Sequence, residues 1–341
     1  MEFPSVDDRA RWLTQVGDPD VHREIAAEIS CLRAVDVQNA DVASAATGWL
    51  RIAAWNIERG RDPSAIAALI SSTNADVALL SEVDVGMART RNRDVAREVA
   101  KSLSGMSAFA VEYVELGLGK EADLVDVVDR ENRCGLHGNA IVSKIALQRP
   151  EVVRLGAGGE WFTHARGEPR IGGRSAVVTT VTLDGVEVDI ASVHLESHSD
   201  AEARAGEMRI LLDRLDERGP RPAVVAGDLN TFGAPLGDLI ERSSVGRLRD
   251  EDPGRFSWPV PYEPLFEIAS ERAFTWVDAN VAAPTTRHDH EGLPEHVPIK
   301  LDWVLVRGLE ARRATVVPAV GRDGRGLSDH ELLAVSVRPT S

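Results

Sequence analysis

The sequence predicts an α/β fold, a mixed β-sheet covered by helices, on three observations. From Leu50 onward, short runs rich in Val, Ile and Leu alternate with stretches of helical periodicity. Two helical stretches carry their own start and stop signals. Asp184-Gly185 sits between two strand-like segments as a two-residue hairpin turn, so part of the sheet must be antiparallel.

In chain order, residues 1–48 form a helical extension, because Val21, Ile25, Ile29 and Leu32 recur at the spacing of one amphipathic helix. Residues 49–341 form the main domain, undivided by a repeat, low-complexity tract or Pro-rich linker. "LRIAAWNI", "DVALLSEV", "NAIVS", "PAVVAGDL" and "LDWVLV" have the length and β-branched content of buried strands. In "RDPSAIAALISS", Asp62 caps a helix whose first position is Pro63. In "HSDAEARAGEMRILLDRLDERGP", Ser199 and Glu202 have capping-box spacing, and Gly219-Pro220 stops the helix. "RSAVVTTVTL" and "VEVDIASVHL" flank the hairpin turn.

The whole chain bounds its partners. Asp plus Glu number 54 against 39 Lys plus Arg, a net charge of −15 that works against gripping a polyanion, so duplex nucleic acid ranks below a small substrate. Two cysteines, Cys31 and Cys134, make no disulfide framework and fit a reducing compartment. No apolar run is long enough for a membrane span, and "MEFPSVDDRARWL" lacks a signal-peptide core, so a cytoplasmic location is expected.

The chemistry lies where apolar strands end on polar residues. "RIAAWNIE" ends on Asn56 and Glu58, "DVALLSE" on Glu82, "DIASVHLE" on His194 and Glu196, and "VVAGDLN" on Asp228 and Asn230. "KLDW" carries Asp302, and "SDH" places Asp329 and His330 before a last apolar run. Each alone also fits an ordinary turn. Strand ends of an α/β sheet gather at one edge, however, and would bring these groups together. Clustered Asn, Asp and Glu oxygens without thiolate suit a hard cation, Mg²⁺ or Mn²⁺. His194 and His330 add proton transfer or charge stabilisation.

In this order, "WNIE", "LLSEV", "SVHLE", "GDLN", "LDWVLV" and "SDH" resemble the signature of the endonuclease/exonuclease/phosphatase superfamily, over about residues 50 to 338. Its members include DNase I-like nucleases, apurinic endonucleases, sphingomyelinases and inositol polyphosphate 5-phosphatases. The resemblance implies a four-layer α/β sandwich of two mixed β-sheets flanked by helices, and a Mg²⁺- or Mn²⁺-dependent hydrolase acting on phosphate esters. It implies that Glu82 ligates the metal, that Asn56 assists it or positions phosphate, and that Asp329 coordinates as well. His330 would contact the scissile phosphate or activate water, oriented by Asp302. Asp228 would align or deprotonate the attacking water, Asn230 would hydrogen-bond a phosphate oxygen, and His194 would stabilise the transition state. Whether Asp228 or His330 is the base stays open. Glu58, two residues beyond the Asn, is read as a second acidic ligand.

Three further stretches carry candidate side chains. Arg89, Arg91 and Arg93 follow Glu82, and a guanidinium fork there would grip phosphate, which makes Arg89 and Arg91 candidate substrate contacts beside a solvated-loop alternative. Asn139 of "CGLHGNAIVS" is a candidate substrate contact, because similar Gly-Asn segments line the superfamily's cleft. His288, His290 and His296 lie near Asp289 and Glu291, read as a polar substrate loop because their spacing matches no tetrahedral zinc pattern. The function expected is hydrolysis of a small phosphodiester or phosphomonoester. Alternatives are a DNA or RNA nuclease, an enzyme of this fold with a non-phosphoryl reaction, and a non-catalytic binding protein.

Overall fold

The computed structural model describes residues 2–127, 129–165, 167–235, 242–287 and 297–340; the His288, His290 and His296 loop lies outside the described residues. Thirteen described strands form two sheets. They are β1 (Val35–Gln38), β2 (Leu50–Arg59), β3 (Val77–Val85), β4 (Met106–Glu115), β5 (Leu136–Ser143), β6 (Gln148–Arg154), β7 (Arg170–Gly172), β8 (Ser175–Leu183), β9 (Val186–His194), β10 (Ala223–Asp228), β11 (Asp302–Arg307), β12 (Leu309–Val317) and β13 (Leu332–Pro339). The first sheet runs β1-β4-β5-β3-β2-β13-β12, with β7 also on β4, and the second runs β11-β10-β9-β8-β6. Each is mixed: β2 and β3 are parallel in one, β9 and β10 in the other, and the remaining pairs are antiparallel.

Alternation along the strands builds the layers. Ile52 and Ala54 of β2 face the second sheet and meet Val177, Ile190, Val224 and Val304 in a core between the sheets. Ala53 and Trp55 face outward, under α3 (Pro63–Ser72) and α4 (Val95–Ser102), which supply Ile66, Ile70, Val95 and Val99. On the far side Met208, Leu211, Leu212 and Leu215, from a helix at Ala201–Glu217, cover Ala191, Val193, Val225 and Leu305. Helix, sheet, sheet, helix is the four-layer sandwich. The central strands β4 and β5 are buried at every position because both faces are covered.

Each predicted strand run falls in a described strand, overrunning it by at most one residue at either end. Asp184 and Gly185 both take positive φ (51° and 79°), the conformation of the tight hairpin turn, and join β8 to β9. Asp62 accepts a hydrogen bond from the Ala65 amide with Pro63 at the first helical position. The cap of the Ala201–Glu217 helix is shifted by one residue from expectation: Asp200 accepts from the Ala203 amide at 2.8 Å, because the Ser199 hydroxyl turns back to the Glu196 carbonyl.

The N-terminal segment departs further from a single helix. It folds as α1 (Val6–Leu13) and α2 (Pro19–Glu28), and the chain then leaves helical geometry at Ile29. Trp12, Ile25, Ile29 and Leu32 pack into the outer core of the first sheet. β1 then adds an edge strand antiparallel to β4. After Ile29 in extended geometry, a 3₁₀ turn at Ser30–Arg33 sets Cys31 and Leu32 on the buried side.

Candidate active site

Irregular backbone aims the site residues. The β2–β3 register shifts between Asn56 and Arg59, and the β3–β5 register shifts between Leu80 and Val83. At these bulges Glu58, Arg59 and Glu82 hold positive φ (43°, 75° and 56°), as does Asn230 just past β10 (50°). A bulge re-aims a side chain at a strand end, and positive φ at non-glycine residues is a strain that the surrounding sheets must hold.

Asp228 is the centre of the cluster. Its Oδ2 accepts from Asn56 Nδ2 at 3.0 Å and lies 3.5 Å from His194 Nε2 and 3.6 Å from His330 Nε2. Asp228 Oδ1 accepts the Asn230 amide at 3.0 Å. The cross-strand pairs Asp228↔His194 and Asp228↔Asp302 place this carboxylate between two strand neighbours. His330 Nδ1 bonds Asp302 Oδ2 at 2.7 Å. Burial alone would lower the His330 pKa, but the carboxylates of Asp302, Asp228 and Asp329 raise it well above the usual histidine value. Asp228, Asp302 and His330 offer ligand atoms within 4.8 Å of one another. With its ring between the Asp302 and Asp228 carboxylates, His330 reads with Asp302 as a proton-holding dyad beside the Asp228 carboxylate.

On the other side of Asn56 lies a second acidic group. Asn56 Nδ2 also donates to Glu82 Oε1 at 3.1 Å, and Glu82 pairs with Arg59. Burial would raise the Glu82 carboxyl, yet Arg59 holds it well below the usual carboxylate range. The Glu58 amide donates to Asn56 Oδ1 at 3.1 Å, and Glu58 Oε2 accepts the Asp329 amide at 3.0 Å. Burial and then the Asp329 carboxylate push Glu58 up to about 7. Asn56, Asp228, Asn230, His194, Asp302 and His330 are buried, whereas Glu58, Glu82 and Asp329 are partly open.

Two expected substrate contacts take other positions. Arg89 is fully committed inside the protein: Nε and Nη2 fork onto Asp84 at 2.8 and 3.0 Å, and the guanidinium also pairs with Glu115 and Glu168. Its neighbours raise its pKa well above the ordinary value against burial, as fits an internal counter-ion. Asn139 is likewise buried, donating to Glu112 Oε1 at 3.1 Å and the Ser175 carbonyl at 2.7 Å. It braces the two sheets where a cleft contact was expected. Arg91 is exposed after a 3₁₀ turn, in a left-handed conformation (φ 59°).

Sequence reading missed two participants. Ser328 donates to the Asn56 carbonyl at 2.7 Å and accepts the His330 amide at 3.0 Å, tying the "SDH" loop to β2. Arg174 Nη1 reaches His194 Nδ1 at 2.9 Å. The β8–β9 register does not announce that contact: continued from Ala176↔Val193, it sets Ser175 opposite His194 and Arg174 opposite Leu195, so only the folded strand end brings the guanidinium to the ring. A surface recess of about 590 Å³ lined by Tyr262, Glu263, Phe266, Glu267 and Trp276 shares no residue with this cluster.

The model of the Endonuclease/Exonuclease/phosphatase family matches residues 53–330, a span that contains every clustered residue above. The chain belongs to the endonuclease/exonuclease/phosphatase family. Solved structures share the fold at low identity. An endonuclease/exonuclease/phosphatase from Beutenbergia cavernae DSM 12333 is 22% identical with a TM-score of 0.58, covering 86% of this chain and 72% of that one. The endonuclease/exonuclease/phosphatase from Bacteroides vulgatus is 17% identical, TM-score 0.54, covering 86% and 100%. The human Nocturnin catalytic domain with bound sulfate anion is 18% identical, TM-score 0.54, covering 90% and 98%. No curated protein matches the sequence. Among the described residues no helix is long and apolar enough to cross a membrane.

Proposed function

We propose that this family member is a Mg²⁺- or Mn²⁺-dependent hydrolase of a small phosphate ester, acting in the cytoplasm by in-line attack of water. The observation that carries it is the convergence of three nitrogens on Asp228 Oδ2: Asn56 Nδ2 donates to it at 3.0 Å, and His194 Nε2 and His330 Nε2 lie 3.5 and 3.6 Å from it. Asp228 is then the carboxylate to take the proton of water, and Asn230 and the two histidines face the charge that develops on phosphorus-bound oxygen. Asp302 keeps the proton on His330 Nδ1, so that Nε2 points at the substrate.

The oxygens of Asn56, Glu58, Glu82 and Asp329 fit a hard cation. Burial, and then repulsion from the Asp329 carboxylate, pushes the Glu58 carboxyl up to about 7, and a divalent charge between the two would relieve the repulsive part. A bound metal would polarise the phosphoryl oxygen as a Lewis acid. Glu82 would serve as the direct ligand and exchange Arg59 for it.

A small substrate is supported by charge. The chain carries −15 overall, and Arg89 is spent on internal carboxylates. The test is a panel of phosphomonoesters and phosphodiesters assayed with Mg²⁺ and with Mn²⁺. Hydrolysis that stops with EDTA and falls about 10²–10⁴-fold in Asp228→Asn is expected. Full activity after EDTA treatment, or no ester turned over with either ion, would overturn the proposal.

A further inference from the structure

Arg174 sits at the mouth of the β8–β9 hairpin, 6% exposed, and is pinned on several sides. Its Nε lies 3.3 Å from Glu196 Oε2, Nη1 lies 3.5 Å from Glu112 Oε2, Nη2 donates to Ser197 Oγ at 3.4 Å, and its guanidinium carbon lies 5.6 Å from the Tyr113 ring centre. The same Nη1 is 2.9 Å from His194 Nδ1. Glu112 Oε2, the nearest carboxylate to that ring nitrogen, is 3.8 Å away, beyond hydrogen-bond distance, so Arg174 is the partner that Nδ1 meets.

A guanidinium has five N–H donors and no acceptor. A ring nitrogen hydrogen-bonded to it must therefore be the acceptor, and in a neutral imidazole the proton then resides on the other nitrogen. We propose that Arg174 is a positioning residue that locks His194 as the Nε2–H tautomer, making this histidine a fixed hydrogen-bond donor to the reacting phosphate and excluding it as a base. The inference rests on the phosphoesterase reading for the identity of the recipient, though not for the tautomer itself.

Electrostatics agree with the geometry. Burial, then the positive charge of Arg174, push the His194 pKa down to about 3 against the attraction of Asp228 and Glu82. His194 thus differs in kind from His330. One ring is backed by a carboxylate through Nδ1, the other by a guanidinium, and the two present Nε2 to the same Asp228 oxygen from opposite chemical states. A donor that carries no charge of its own stabilises a phosphoryl oxygen without competing with a cation for it. The backing partner decides this, because a histidine's tautomer follows the hydrogen bond that its other nitrogen makes.

The experiment is ¹⁵N–¹H correlation of the histidine rings in metal-free protein at neutral pH, with the His194 signals assigned from a His194→Gln spectrum. The wild type should show Nε2 protonated and Nδ1 as a hydrogen-bonded acceptor; protonated Nδ1, or an imidazolium, would overturn the proposal. Arg174→Met should release the lock, giving a tautomer mixture or a shifted Nδ1 signal, and an unchanged spectrum in the folded variant would again overturn it. Should the Met variant fail to fold, Arg174→Lys keeps one charged donor. It should retain Nε2–H with a moved Nδ1 signal, whereas an Nδ1 signal identical to wild type would remove Arg174 as the cause. All these readouts are independent of turnover, so an enzyme that hydrolyses no phosphate ester would refute the function and leave the tautomer assignment to be judged on its own spectrum.

Discussion

Asp302 and His330 stand 28 residues apart in sequence and 2.7 Å apart in space, and their roles are inseparable if the carboxylate holds the imidazolium in place. Asp302→Ala, His330→Ala and the double variant should then lose similar amounts of kcat/KM, because groups that act as one unit are not additive. Three rate measurements decide it, and losses that multiply would show two independent residues. Glu207 offers a different residue-scale test, away from the cluster on Asp228. Its Oε2 accepts the Glu196 amide at 2.8 Å, and burial pushes its carboxyl up to about 8. A carboxyl raised in the folded state contributes stability that is complete below the unfolded value and disappears as pH rises through the folded one. Glu207→Gln should therefore gain on wild type as pH rises from about 4.5 to about 8 and hold that gain above it, read as a urea midpoint difference that widens in the variant's favour. A constant difference across that range would contradict the assignment.

At the scale of elements, the site depends on how closely β9 and β10 approach. Gly227 pairs with Val193 one step before Asp228 meets His194. It takes φ 146°, and a Cβ there would lie 1.9 Å from the Val193 carbonyl oxygen. No side chain rotation relieves a clash with backbone, so Gly227→Ala must push the two strands apart. A stability loss on the order of 2–4 kcal/mol is expected from urea unfolding, together with lost activity at temperatures where the variant is still folded. A variant as stable and active as wild type would show that the strands yield cheaply. The bulges in β2 and β3 work in the opposite direction, spending ladder regularity to swing Glu58 and Glu82 toward the cleft.

At the scale of the whole molecule, charge separates a small-substrate enzyme from one that grips duplex DNA. Each phosphate neutralised by Lys or Arg releases counterions and steepens the dependence of binding on salt. With a net charge of −15, and with Arg59, Arg61, Arg89 and Arg174 each paired with carboxylates of the protein itself, these basic side chains around the cluster are already engaged. Duplex DNA should bind weakly, with no more than about two or three phosphate contacts in the salt slope. A slope corresponding to six or more, with efficient plasmid cleavage near physiological salt, would favour a nuclease.

Strand runs, the hairpin turn and the Asp62–Pro63 helix start were legible in the sequence because each is a local matter of period, φ preference or capping chemistry. The order of polar strand ends also exposed the candidate residues, since an apolar run that stops on Asn, Asp, Glu or His needs no tertiary information to be noticed. What those side chains touch was another matter. Arg89 follows Glu82 by seven residues and looked free to grip a ligand, but the turn after β3 folds it onto Asp84 and Glu115, and a buried guanidinium must be neutralised. Asn139 was drawn inside by Glu112 and the Ser175 carbonyl. The one-residue shift of the helix cap from Ser199 to Asp200 turned on a carbonyl that only the folded loop presents. Sequence by itself determined which elements form and which polar groups end them; only the tertiary structure decided which of those groups face one another, because pairing across sheets depends on register and burial that no local pattern encodes.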